Sequence, residues 1–159
     1  MAVDTKIELV GVEDAIKALR RIDPELRKQF NRDAREIAKP AVDQAKTDYP
    51  VIPLSGFARK WKEILPWDIN RVRRSVRVKI DTSRKSTNVI YLQQADRGAA
   101  VFESAGRKSP NALSEALGPL GAFQTRVLGP ALAKQEGAVE RGFEKLARDT
   151  MATVQKELR

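Results

Sequence analysis

Between residues 26 and 45 the apolar side chains Leu26, Phe30, Ala34, Ile37, Ala41, Val42 and Ala45 recur three and four apart. That spacing is the period of a single helix face, and it predicts an amphipathic helix running to about residue 48. A second stripe, Leu132, Val139, Phe143, Leu146, Thr150, Val154 and Leu158, predicts a closing helix that starts near Pro130 and runs for about seven turns. Stripes of this length must be buried against something, and the residues between them offer a sheet. In "NRVRRSVRVKI" (70–80), Val76, Val78 and Ile80 point to one side of a strand, and Arg71, Arg73, Arg77 and Lys79 to the other. A polar turn "DTSRKSTN" (81–88) and a returning strand "VIYLQQ" (89–94) complete an antiparallel hairpin. The fold class that follows is α+β, a single domain over 1–159 with long N-terminal and C-terminal helices packed on a small antiparallel β-sheet.

Local signals fill in the rest. "KIELVG" (6–11) reads as a short strand ending at Gly11, and Val12, Ala15, Ile16, Leu19 and Ile22 mark a first helix. In "DPEL" (23–26), Asp23 suits a cap, Pro24 the first helical position and Glu25 the positive end of the dipole. Pro40 cannot donate to the carbonyl of Glu36, so a kink is expected there, with the helix continuing because the stripe does. After the punctuated loop "YPVIPLSG" (49–56), Phe57, Trp61 and Leu65 suggest a short helix ending before Pro66. Residues 97–108 form a further strand or a short helix. The Gly/Ser/Pro/Ala-rich loop 104–124 has little apolar content to hold it and is expected to be mobile in a free subunit.

Composition narrows the chemistry. The chain has no cysteine and no histidine, which removes disulfides, thiolate nucleophiles, imidazole bases and histidine metal sites. "GPLGAF" (118–123) lacks the lysine and the spacing of a phosphate-binding loop. The acids near the hairpin, Asp81, Asp96 and Glu103, are expected in solvent or in salt bridges, not in catalysis. No enzyme activity, cofactor, metal or small-molecule substrate is therefore expected. No apolar run reaches the roughly 18 residues of a membrane span, and "MAVDTKIELVG" lacks the pattern of a secretory signal, which points to synthesis in the cytoplasm.

Net charge is +9, and its distribution is uneven. Residues 1–55 carry 10 basic and 10 acidic side chains, residues 56–110 carry 13 and 5, and residues 111–159 carry 7 and 6. A field concentrated in the middle of a chain speaks to partners. Alternating cations along a strand stand about 6.8 Å apart and can meet phosphates without reading bases. Three readings of this basic face stay open: a solvated exterior, a contact with another subunit, or proximity to DNA. Arg71, Arg73, Arg74, Arg77, Lys79, Arg84 and Lys85 are its candidate residues. Phe57, Trp61 and Trp67 are either an aromatic cap on the core or a docking surface.

The order of segments carries a resemblance. "IELVGVEDAIKALRRI", a long helix ending in "AKTDYP", "RVRRSVRVK", "AAVFESAG" and "RVLGPAL" before the last helix resemble the tail-completion and neck proteins of tailed bacteriophages, minor tail components related to the lambda Z-type proteins. Gly11, Pro50, Arg73 with Ser75 and Val76, Glu103, and Leu128 with Pro130, Ala131 and Leu132 match the landmarks of that family. The chain departs from it by an insertion at 51–70, an added residue in "ESAG" and a longer excursion at 107–125. The resemblance implies a virion structural subunit without an active site, assembled as a hexameric ring between head connector and tail. Its partners would be copies of itself, other neck and tail proteins, and DNA passing through the lumen. The alternative is a non-specific nucleic-acid-binding protein using the basic hairpin.

Overall fold

A computed structural model describes residues 3–6, 24–54, 67–80 and 90–157. They form an α+β fold with long helices toward both ends and a small antiparallel sheet. In chain order the elements are β1 (Val3–Lys6), α1 (Pro24–Asp48), α2 (Ile69–Arg74), β2 (Val76–Ile80), β3 (Ile90–Gln94), α3 (Arg97–Ser104), α4 (Ala112–Leu117), α5 (Leu128–Lys134) and α6 (Glu136–Glu157), with a 3-10 turn at Ala122–Gln124. The expected helix at 12–22, the helix at 57–65 and the hairpin turn at 81–88 lie outside the described residues, as do Gly11, Asp23, Asp81 and Leu158.

The sheet has the order β1–β3–β2, so the hairpin gains a third strand from the N-terminus. That strand is observed at Val3–Lys6, earlier than the expected 6–11. Ala95 N–H donates to the Ser75 carbonyl at 3.2 Å, and Arg77 Nε donates to Gln93 Oε1 at 3.0 Å, which sets Arg77 opposite Gln93 in the antiparallel pair. Central position explains why Ile90, Leu92, Gln93 and Gln94 of β3 are all buried, where a strand with one wet face would alternate.

Two compact units emerge from the contacts within the chain, one of Met1–Thr5, Ala41–Arg77 and Leu92–Lys134, the other of Lys6–Pro40, Val78–Tyr91 and Gln135–Arg159. Helix α1 passes from one to the other at Pro40 without ending there, as its uninterrupted stripe predicts. In the unit containing α6, Phe30, Ala34 and Ala38 of α1 are buried, as are Val139, Phe143, Leu146 and Val154 of α6. The two helices come very close at one point, since a Cβ on Gly142 would lie 2.6 Å from Ile37 Cγ2.

Of the closing stripe Leu132, Val139, Phe143, Leu146 and Val154 are buried and Thr150 is half-buried, but the stripe belongs to two helices and not to one. Helix α5 starts at Leu128, and α6 starts after Gln135, whose carbonyl accepts from Val139 N–H at 3.0 Å. The stripe skips a step between Leu132 and Val139, where Gln135 and Glu136 give a continuous helix nothing apolar to bury. Residues 97–104 form a helix, which resolves the open choice for that stretch, and Asp96 caps it by accepting from Ala99 N–H at 3.0 Å.

The loop after α3 is more structured than its composition suggests. Asn111 and Ser114 make a reciprocal capping box on α4, with Asn111 Oδ1 accepting from Ser114 N–H at 2.9 Å and Ser114 Oγ accepting from Asn111 N–H at 2.8 Å. Polar side chains hold this segment where apolar ones are lacking. Among the described residues no helix is long and apolar enough to cross a membrane.

Candidate functional site

The basic segment is not one strand. Residues 69–74 form α2, capped by Asp68, whose side chain accepts from the N–H groups of Asn70 and Arg71 at 2.9 and 3.2 Å. Arg71, Arg73 and Arg74 therefore sit on a helix, and the expected four-cation ladder reduces to Arg77 and Lys79 on β2. The missed signal is Asp68 before an apolar pair three apart, Ile69 and Val72, which is an N-cap followed by a helical step. Beyond Ser75 the alternation holds: Val76 is buried, while Arg77 and Lys79 are exposed.

Several of these cations have internal tasks. Arg71 Nε donates to the buried Asp96 carboxylate at 2.6 Å, so Asp96 holds both α2 and the start of α3. Arg73 Nε donates to the Lys46 carbonyl at 3.1 Å, satisfying one of the orphan acceptors at the end of α1. Arg74 and Lys79 are exposed. Arg84 and Lys85 lie outside the described residues, as do Phe57 and Trp61. Trp67 is half-buried and packs as part of an aromatic cluster, its ring 5.6 Å from Phe102 edge-on and 6.4 Å from Tyr49. Its Nε1 donates to the Val51 carbonyl at 2.8 Å, which pins the turn after α1 and leaves Val51 and Ile52 exposed.

The most elaborate arrangement surrounds Glu103. Its side chain is fully buried, neither in solvent nor in a side-chain ion pair, which corrects the expectation for this residue. Oε1 accepts from the Tyr49 hydroxyl at 2.6 Å and from Leu128 N–H at 3.1 Å. Oε2 accepts from the N–H groups of Arg126 and Val127 at 2.8 and 3.0 Å. One carboxylate thus receives three successive backbone donors at the start of α5, where the helix dipole favours negative charge. The next donor, Gly129 N–H, goes to Thr125 Oγ1 at 2.7 Å. Glu103 reaches this position because α3 turns Ala99, Ala100, Phe102 and Glu103 inward, three and four apart. That register is readable only once the stretch is known to be a helix.

Tyr49 and Arg126 complete the cluster. Burial, followed by the charge of Glu103, pushes the Tyr49 phenol well above its usual range, so it remains a donor. Burial pulls the Arg126 guanidinium below its usual value, with Glu103 opposing the shift. That guanidinium donates to the carbonyls of Phe102 at 2.7 Å and Gly118 at 2.9 Å, and it lies 6.0 Å from the centre of the Phe102 ring. Composition and spacing did not single out Tyr49, Thr125 or Arg126. Tyr49 and Arg126 find partners in distant segments, while Thr125 bonds within its own turn to Ala122 and Gly129.

Beside this cluster the backbone takes an uncommon course. Phe123 (φ 57°, ψ 26°) and Gln124 (φ 55°) both occupy the left-handed region, which costs an ordinary residue about 1–2 kcal/mol. The turn is held by Gly121 N–H donating to the Thr125 carbonyl at 2.8 Å and by Thr125 Oγ1 donating to the Ala122 carbonyl at 3.0 Å. Gly129 allows it to seat against α5, since a Cβ there would lie 1.9 Å from the Ala122 oxygen. The outcome is a hydrogen-bonded turn that leaves Phe123 55% exposed.

No protein-family model matches the chain, and neither the curated proteins nor the solved structures give a match.

Proposed function

We propose that the chain is a structural subunit of a tailed-phage virion, a tail-completion or neck protein that assembles into a ring, commonly hexameric, joining the tail to the head connector. The observation that carries this reading is the meeting of three segments on which the family resemblance rests. Tyr49 from "AKTDYP", Glu103 from "AAVFESAG" and Arg126–Leu128 from "RVLGPAL" join in one hydrogen-bonded cluster. Motifs that are short and weak singly thus share one task, fixing the entry to α5. The charged groups of the cluster are occupied by internal partners, which suits a scaffold that presents surfaces to neighbours. Its neighbours would be copies of itself, other neck and tail proteins, and DNA in the lumen.

The mass of the purified full chain, measured by native mass spectrometry and sedimentation over a range of concentrations, tests the reading. A discrete closed oligomer is the expected result, and a monomer at every concentration would remove it.

A second reading, non-specific nucleic-acid binding, draws on the exposed Arg74, Arg77 and Lys79. If these three cations neutralise three phosphates, the logarithm of duplex affinity should fall against the logarithm of salt with a slope of about −2.7. Tight salt-dependent binding by a monomer would favour this second reading over the first.

A further inference from the structure

Phe123 combines two unfavourable features, a left-handed backbone and a ring mostly in water. Non-glycine residues held in sparsely populated backbone regions persist where the surroundings over-determine them, and such sites cluster at clamps and contacts. Here the surroundings do so: Thr125, Gly121 and Gly129 lock the turn from below. The same unit contains an open groove of about 390 Å³, lined by Pro110, Gly118, Pro119 and Leu120 and by the charged side chains of Glu115 and Arg126. Its Pro110, Pro119 and Leu120 side chains offer apolar surface on which an aromatic ring can lie. Phe123 does not line this groove in its own chain.

The charges around the two features are complementary. Arg107 is tied next to Phe123 by its Nε, which donates to the Gln124 carbonyl at 2.7 Å. At the groove Glu115 is an exposed carboxylate, whereas the Arg126 guanidinium is engaged by the carbonyls of Phe102, Ser114 and Gly118. A cation thus accompanies the projecting ring, and the exposed charge without an internal carbonyl partner at the recess is an anion, both on one chain.

We propose that Phe123 of one copy seats in the Pro110–Pro119–Leu120 groove of the next copy, with Arg107 meeting Glu115, as a head-to-tail contact between identical subunits. A contact made by two different patches of one subunit propagates, and it closes into a ring when the rotation allows. The inference rests on the ring-forming reading above and names the surfaces that would carry it.

The test is sedimentation of three samples: wild type, Phe123→Gly and Leu120→Lys. Glycine takes up the left-handed conformation without strain, so Phe123→Gly removes the anchor while leaving the turn free to form. At a dilution where both are monomeric it should melt no lower than wild type, yet its self-association should weaken at least about tenfold, in line with an aromatic hot spot. Leu120→Lys should block the groove with a similar loss. An equimolar mixture of the two variants retains one intact ring-and-groove pair and should yield a one-to-one dimer and nothing larger. If Phe123→Gly assembles like wild type, the proposed contact is wrong while the ring reading stands on another surface. A mixture that forms full-size oligomers overturns the contact in the same way. A wild-type chain that stays monomeric overturns both.

Discussion

In the unit containing α6, Phe30 and Leu26 of α1 line the same groove as Leu146 and Thr150 of α6, and the buried side chains are overwhelmingly hydrocarbon. In the unit containing α5, the residues from Asp96 to Gly129 bury Ala99, Ala100, Phe102, Val127 and Leu128 but are held as well by directional bonds: Asp96 to Arg71, Glu103 to α5, Arg126 to three carbonyls and Thr125 to Gly129. The first arrangement depends on area removed from water and tolerates small shifts in position. The second depends on geometry, because each bond weakens steeply with angle and each buried donor left without a partner costs about 1–3 kcal/mol. A segment with few apolar residues can therefore be rigid, provided its polar groups find one another. This also revises the reason for expecting residues 104–124 to move: their lack of apolar content is offset by the capping box at Asn111 and by the Arg126 guanidinium.

Three measurements would sharpen or break this contrast. The largest effect is expected in the hydrocarbon-packed unit, where Phe143→Ala should cost about 3–5 kcal/mol in chemical denaturation by leaving a cavity at a wholly buried position. A loss below about 1 kcal/mol would mean that α6 contributes little packing. Next comes Glu103→Gln, which keeps the shape but sets an amide NH2 against backbone donors, for an expected loss of about 2–3 kcal/mol. If stability is unchanged, the carboxylate does not organise the start of α5.

Tyr49→Phe should have the smallest effect, about 1–2 kcal/mol at neutral pH, from loss of one hydrogen bond to a charged acceptor. It also carries a signature in pH. Because the folded phenol titrates above its unfolded value of about 10, the stability that its proton supplies is complete below that pH. It fades as the pH climbs from there through the folded value. The gap between wild type and Tyr49→Phe should thus narrow above about pH 10, and a gap that stays constant across that range would contradict a phenol held protonated by burial beside the Glu103 carboxylate.

Legibility followed the same division. The stripes of α1 and α6 could be read directly, because burial on one helix face imposes a period on the sequence. Alternation in β2 was equally plain, yet extending it back to Arg71 and Arg73 was an error. Arginine and valine at two-residue spacing look the same on the end of a helix, and only the cap at Asp68 separates the two cases. Glu103 appeared as one acid among three near the hairpin. Its burial depends on α3 being a helix and on Tyr49 and Arg126–Leu128 arriving from segments far along the chain.

Taken alone, the sequence determined the α+β class, the hydrocarbon faces of the long helices and the concentration of positive charge in the middle of the chain. These are properties of period and composition, and they survive any arrangement of the elements. Tertiary structure decided which polar side chains are buried together, where α5 begins and that Phe123 points outward on a strained turn. Hydrogen bonds between distant segments leave no period behind, since each needs only one donor and one acceptor brought to within about 3 Å.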